Sequence, residues 1–289
     1  MSRKRVLPVR AFLLHVTHYD PRWCARKSRE KPMDVGLAVE LVDAMAEAGM
    51  NLLIIDCADG VRYRSHPELA RRYSIPMRSF RRIVGAAERN GIEVVPKLNF
   101  ARSPRHQHNQ WFRPHTRHFD DEVYWRTAFE VIDELIEEVR PKRFFHVGMD
   151  EDHSRSYTQY ADAIGTLHAG LKTRRLRTVI WKDAHKTPSF QCHSEKSRAA
   201  ERRTPRDVVQ VPWDYSGVQG DTVRRLVRKG FEVWGAPGRS PEHVRAWRDF
   251  LLRCGGKGLL LTLWVPCRPG NRRELLDLIR VLGPLCRAG

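Results

Sequence analysis

The 289-residue chain has no apolar run approaching the ~20 residues that cross a bilayer as a helix, which excludes a helical membrane protein. It has no Cys-x-x-Cys pair. Its six cysteines, Cys24, Cys57, Cys192, Cys254, Cys267 and Cys286, stand apart, so neither a zinc ribbon nor a disulfide framework is signalled, and they read as mostly reduced thiols. No Gly/Ser-rich linker interrupts the chain, so one domain is expected over residues 1–289, with residues 1–9 as a basic N-terminal arm. Met1-Ser2-Arg3-Lys4-Arg5 is basic, but the apolar stretch after it is broken by Pro8, Arg10 and His15; this does not read as a secretory signal, and a cytoplasmic location is the default expectation.

Acidic residues are scarce relative to basic ones, 34 against 52, a net charge of +18. The excess is spread through Arg81-Arg82, Arg174-Arg175, Arg202-Arg203, Arg224-Arg225 and Arg272-Arg273 with no recognition module beside it. Nucleic acid is therefore not expected as a partner. Attraction of acidic glycans is a separate expectation from the same charge.

Short runs rich in Val, Ile, Leu and Phe at 11–16, 51–56, 93–98, 143–148, 177–181, 208–211, 231–234 and 258–264 predict eight strands. Helical periodicity separates them at 35–48, 79–89, 122–139, 157–171, 222–228, 241–253 and 273–282, with Asp34 as a cap and Gly49 and Gly91 after helix ends. The interval 186–204 has weak periodicity and reads mostly as loop. This alternation predicts an α/β chain folded as a single (β/α)8 TIM barrel. A doubly wound open sheet is the alternative, but no Gly-x-Gly-x-x-Gly follows the first strand.

In such a barrel, chemistry sits at the carboxyl ends of the strands. Strand one ends in His15-Val16-Thr17-His18, strand two in Asp56-Cys57-Ala58-Asp59, and strand three in Lys97-Leu98-Asn99. Strand five ends in Trp181-Lys182-Asp183, strand six in Trp213-Asp214-Tyr215, strand seven in Trp234 and strand eight in Trp264. Four tryptophans at strand ends suit stacking on the apolar faces of sugar rings. Strand four is the most specific. Alternation puts His146, Gly148 and Asp150 on one face and Phe145, Val147 and Met149 on the other, with Glu151 turning over the mouth. Two neighbouring carboxylates in a low-dielectric mouth cannot ionise equally easily, which is how an acid and a base are made from similar side chains.

His146-Val147-Gly148-Met149-Asp150-Glu151 resembles the His-x-Gly-Gly-Asp-Glu signature of glycoside hydrolase family 20, the β-N-acetylhexosaminidases, with Met149 in place of the second glycine. Arg10-Ala11-Phe12-Leu13-Leu14 resembles the family's Arg-Gly-x-x-Leu-Asp strand, Ser65-His66-Pro67-Glu68-Leu69 its Pro-x-Leu segment, Trp181-Lys182-Asp183 its Trp-Asp-Glu/Asp segment, and Trp264 the tryptophan of strand eight. The resemblance implies a retaining, substrate-assisted glycosidase that needs no cofactor and no metal and acts on glycans with terminal N-acetylhexosamine. Asp150 would orient the acetamido group and Glu151 would be the general acid and base. Arg10, His18, Asp59, Asn99, His146, Trp181, Asp183, Trp213, Tyr215, Trp234 and Trp264 would form the substrate site.

The chain departs from the family at His15, where aspartate is usual, at strand seven, which lacks the family's tyrosine, and at Pro266, where glutamate is usual. Tyr215 is the candidate replacement for that tyrosine. Three other readings follow. The departures allow a carbohydrate-binding barrel without turnover. Thirteen histidines, among them His106, His108, His115 and His118, allow a metal-dependent amidohydrolase. Asp59 or Asp183 working with Glu151 would make a two-carboxylate glycosidase.

Overall fold

In the computed structural model, residues 6–16, 30–103, 107–185 and 191–287 are described, the side chains of 107–109 excepted. Eight parallel strands, β1 (Val9–His15), β2 (Leu52–Asp56), β3 (Glu93–Lys97), β4 (Phe144–His146), β5 (Arg177–Lys182), β6 (Val209–Asp214), β7 (Trp234–Pro237) and β8 (Gly258–Thr262), close into a barrel in sequence order. Each is followed by a helix: α1 (Val35–Glu47), α2 (Met77–Arg89), α3 (Glu122–Val139), α4 (Tyr157–Thr173), α5 (Gln191–Ala200), α6 (Gly220–Arg228), α7 (Pro241–Cys254) and α8 (Arg272–Leu282). The expected (β/α)8 barrel is the fold.

The helix boundaries have local causes. Asp34 accepts the Leu37 N–H at 2.9 Å and starts α1, and Asp121 accepts the Tyr124 N–H at 2.9 Å and starts α3. Ser156 and Gln159 form a reciprocal capping box on α4. Ser240 caps α7 ahead of Pro241, and Gly255, at φ +86°, ends it in the left-handed conformation that costs glycine least.

Strand alternation sorts the core into two shells. Val9, Ala11, Leu13, Leu52, Ile54, Val95, Phe144, Val179, Val209, Val211, Trp234 and Leu260 pack inside the barrel, while Phe12, Leu14, Leu53, Ile55, Phe145 and Val147 pack outward against the helices. Both faces are covered, which is why the strands read as nearly continuous apolar runs.

Four expectations need correction. The seventh strand begins at Trp234, where the apolar run had suggested that it ends. Trp234 pairs with Gly258, the first residue of β8, and donates its indole N–H to Glu232 at 2.8 Å. It is therefore a packing residue at the amino-terminal end of the barrel, edge-on to Phe144, and not a wall of the mouth.

The stretch expected to be mostly loop carries α5. Its inner face is polar: Lys196 is buried and donates to the Asp152 carbonyl oxygen at 2.7 Å and to that of Arg155 at 2.5 Å. Helical periodicity read from apolar residues misses such a face. Residues 186–190 lie outside the described residues.

The basic arm expected over residues 1–9 overlaps β1 at Val9, and residues 1–5 lie outside the described residues. Arg10 also belongs to this end of the barrel. Strand alternation turns its side chain outward, where it donates to the Gly49 carbonyl at 2.7 Å and the Leu7 carbonyl at 2.8 Å. It does not reach the mouth, so its expected role as a sugar ligand is withdrawn.

Candidate active site

The floor of the mouth is a polar layer set by strand register. His15 pairs with Asp56, Asp56 with Lys97, and Lys97 with His146, so four ionisable side chains on consecutive strands lie at one level inside the barrel. All four are buried. Lys97 forms an ion pair with Asp56, and His15 Nδ1 lies 3.6 Å from the same carboxylate. His146 Nδ1 accepts the Gly148 N–H at 3.0 Å, which leaves the proton on Nε2. Burial, then the charge of Lys97, holds the His146 pKa well below its ordinary value, so the ring stays neutral.

Above this floor the chain leaves β4 through a strained turn. Gly148, Met149 and Glu151 have φ of +71°, +78° and +52°. For the two non-glycine residues this conformation costs about 1–3 kcal/mol each, and such strain persists only where neighbours over-determine it. Here Asn99 Oδ1 accepts the Met149 N–H at 3.1 Å, the Tyr160 hydroxyl donates to the Met149 carbonyl at 2.7 Å, and Asp183 Oδ2 accepts the Glu151 N–H at 2.9 Å. Gly148 is required twice over. Its φ is left-handed, and a Cβ there would fall 2.2 Å from the Asn99 side chain.

The turn delivers Asp150 and Glu151 side by side, both buried. Asn99 Nδ2 donates to Asp150 Oδ1 at 2.7 Å. Asp183, at the end of β5, lies close enough that burial, then the charges of Asp150 and Glu151, push its carboxyl up to about 8. Three carboxyl groups thus share one low-dielectric site, and Asp183 holds its proton well above the usual carboxylate range. Asp152 is buried and structural: it accepts from Arg102 N and Arg155 N, and pairs with Arg155 at 2.7 Å. Arg155 also binds Asp120 through two 2.8 Å contacts, which ties the turn to the segment ahead of α3.

Aromatic side chains surround the carboxylates. Trp181 is buried, tilted against His146 at 4.9 Å between ring centroids. Trp213 and Trp264 are half-buried. Trp213 donates to Asp183 at 3.3 Å, and Trp264 donates to the Tyr215 hydroxyl at 2.6 Å while its ring lies 4.8 Å from that of His15. Burial pushes the Tyr215 phenol up to about 12, so it keeps its proton. The indole N–H of Trp181 and Nε2 of His146 are buried without a partner among the described residues, which leaves two donors for a ligand oxygen.

Of the expected site residues, Asp150, Glu151, Asn99, His146, Trp181, Asp183, Trp213, Tyr215 and Trp264 come together at the carboxyl end of the barrel. Asp59 is buried beyond β2 and held by the Tyr73 hydroxyl at 2.7 Å and by Arg71 at 3.7 Å. His18 lies outside the described residues. Sequence reading missed the positioning roles of Tyr160, Arg155 and Lys97. Only Lys97 carries a usable signal, a lysine on the inward phase of an otherwise apolar strand.

The fold and this site define a (β/α)8 barrel with a carboxylate pair at an aromatic-lined mouth. No protein-family model matches the chain, and no curated protein matches it. Solved structures do. The chitobiase of Flavobacterium johnsoniae is 15% identical over 99% of this chain and 48% of that one, with a TM-score of 0.69. The N-acetyl-β-hexosaminidase of Streptomyces plicatus in complex with Thio-NAglucal is 15% identical over 98% of this chain and 64% of its own, at a TM-score of 0.71. The family 20 β-N-acetylhexosaminidase of Streptomyces coelicolor A3(2) is 15% identical over the same shares, at 0.72. The chain therefore has the barrel fold found in family 20 structures and spans about half to two thirds of the length of these proteins.

Proposed function

We propose that this chain is a glycoside hydrolase of the family 20 type, removing terminal N-acetylhexosamine by a retaining, substrate-assisted mechanism. The observation that carries the reading is the Asp150–Glu151 pair, fixed through Asn99 and Asp183 on a strained turn beneath Trp213, Trp264 and Tyr215. Fold similarity to β-hexosaminidases, one in complex with its product GlcNAc, supports it.

In this mechanism the acetamido oxygen of the substrate attacks C1 and the bond to the leaving oxygen breaks. Glu151 protonates that oxygen. Asp150 accepts the acetamido N–H and stabilises the positive charge of the cyclic intermediate. Glu151, now a carboxylate, takes a proton from water as the water attacks C1, the bond from C1 to the acetamido oxygen breaks to restore the acetamido group, and the sugar leaves with its configuration retained. Adjacent carboxylates suit this route because neither has to lie across the ring as nucleophile. Tyr215 is the donor for the acetamido oxygen, and the exposed faces of Trp213 and Trp264 bracket the sugar ring.

A binding barrel without turnover is the second reading, favoured by two observations: Arg10 faces away from the mouth, and Pro266 stands where the family carries glutamate. Proton NMR of 4-nitrophenyl N-acetyl-β-D-glucosaminide incubated with the protein separates the readings. The β anomer of N-acetylglucosamine should appear first. The α anomer first would exclude the retaining mechanism, and unchanged glycoside with saturable binding would favour the binding barrel.

A further inference from the structure

Beside the mouth, two loops and a helix bring together histidines that the hydrolytic mechanism does not use. The turn at Pro67–Leu69 follows β2, and the segment Gln107–His118 follows β3. His66 Nδ1 and His115 Nε2 each lie 2.8 Å from the same atom, Glu68 Oε1. The two imidazole nitrogens and the carboxylate oxygen all lie within 4.8 Å of one another. On its other side, His66 Nε2 lies 2.8 Å from Glu130 Oε2 on α3.

The proton count at this cluster is informative. A neutral imidazole has one N–H. If His66 gives it to Glu130, its Nδ1 lone pair faces the Glu68 carboxylate at hydrogen-bond distance, and two electron-rich atoms oppose each other. A cation relieves this. A metal ion where the two imidazole nitrogens and Oε1 converge supplies that cation.

We infer that His66, Glu68 and His115 form a divalent transition-metal site of the zinc class, with Glu130 as the carboxylate that orients His66. Two imidazoles and one carboxylate are a donor set suited to zinc, with a fourth position for water. Ligand atoms about 2.1 Å from a tetrahedral ion are separated by about 3.4 Å, so the observed 2.8 Å contacts need to open by only about half an ångström. Glu68 has that freedom, being 41% exposed, while His66 and His115 are 13% and 17% exposed and held in place. The imidazole hydrogen-bonded to a second carboxylate is the arrangement that fixes tautomer and raises ligand basicity in metal sites. The backbone is fixed as well: Arg64 N and Ser65 N both donate to Glu134 at 2.7 Å, and the His115 ring packs on Phe112 at 4.9 Å. The ion would cross-link the loops after β2 and β3, a structural role independent of the proposed hydrolysis.

The test is calorimetric titration of tag-free, EDTA-treated protein with zinc chloride, alongside thermal unfolding. Wild type should bind one zinc per chain and gain several degrees in Tm at a concentration about a hundredfold above Kd. Glu130→Gln should weaken affinity about 10–100-fold without abolishing it. The His66→Gln/His115→Gln double variant should lose the site while keeping the Tm of zinc-free wild type, and His168→Gln should bind as wild type does. Magnesium chloride should produce no shift. No zinc-dependent heat in wild type, retention of stoichiometric zinc by the double variant, or an equal response to magnesium would overturn the inference.

Discussion

Asn99 holds Asp150 from the neighbouring strand end: its Nδ2 donates to Asp150 Oδ1 at 2.7 Å while its Oδ1 accepts the N–H of Met149 at 3.1 Å and of Ala101 at 2.9 Å. One amide thus fixes the carboxylate, the strained turn before it and its own loop. Its carbonyl in turn accepts the Trp111 indole N–H at 2.9 Å.

Asn99→Ala should free the Asp150 carboxylate and leave the buried Met149 N–H unpaired. A lost partner of this kind costs about 1–3 kcal/mol of stability, and a misplaced reacting group about 100-fold in rate. Steady-state kinetics should show the loss mainly in kcat, with denaturant unfolding reporting the smaller stability change. Unchanged kcat would remove Asn99 from the positioning role.

Asp183 gives the site a pH signature. Its folded-state carboxyl, pushed up to about 8 by burial and then by Asp150, lies well above its unfolded value near 3.9. Between those values the folded protein binds more protons than the unfolded chain, so this group makes stability fall as pH rises from about 4 to about 8 and level off above. Urea unfolding across that range should show the decline. Asp183→Asn should flatten it, since the amide carbonyl still accepts the Glu151 N–H and nothing is left to ionise. A variant with an undiminished slope would refute the assignment.

Two tryptophans that look alike in sequence should behave differently. Trp234 is fully buried at the amino-terminal end, so Trp234→Ala should cost about 3–5 kcal/mol and leave KM near wild type in whatever protein remains folded. Trp264 is half-buried at the mouth, so Trp264→Ala should cost less stability and raise KM about tenfold. Thermal unfolding and kinetics on the same two variants decide it, and the reverse pattern would exchange their roles.

Much of the barrel was legible in the sequence. Apolar runs and caps set the barrel because each strand is buried on both faces and every helix but α5 carries an apolar stripe; α3 begins and ends at the residues its periodicity indicates. That Asp150 and Glu151 stand together at the carboxyl end of the barrel was legible from their place after an apolar run; the left-handed turn that delivers them was not. Trp234 was not, because a short run of Val and Trp does not say where hydrogen bonding starts, and a shift of three residues moves a side chain from the mouth to the base. Arg10 failed for a related reason: its motif match carries no information about which carbonyls its side chain meets. The α5 face escaped because Lys196 and Ser197 are buried on hydrogen bonds, which hydrophobic patterning cannot register.

Release of 4-nitrophenol from its N-acetyl-β-glucosaminide, set against the glucoside that lacks the acetamido group, tests substrate-assisted hydrolysis most directly. Wild type should turn over only the acetylated compound. Glu151→Gln and Asp150→Asn should each lose at least about 100-fold in kcat. Equal turnover of both glycosides, or full activity in either variant, would contradict it.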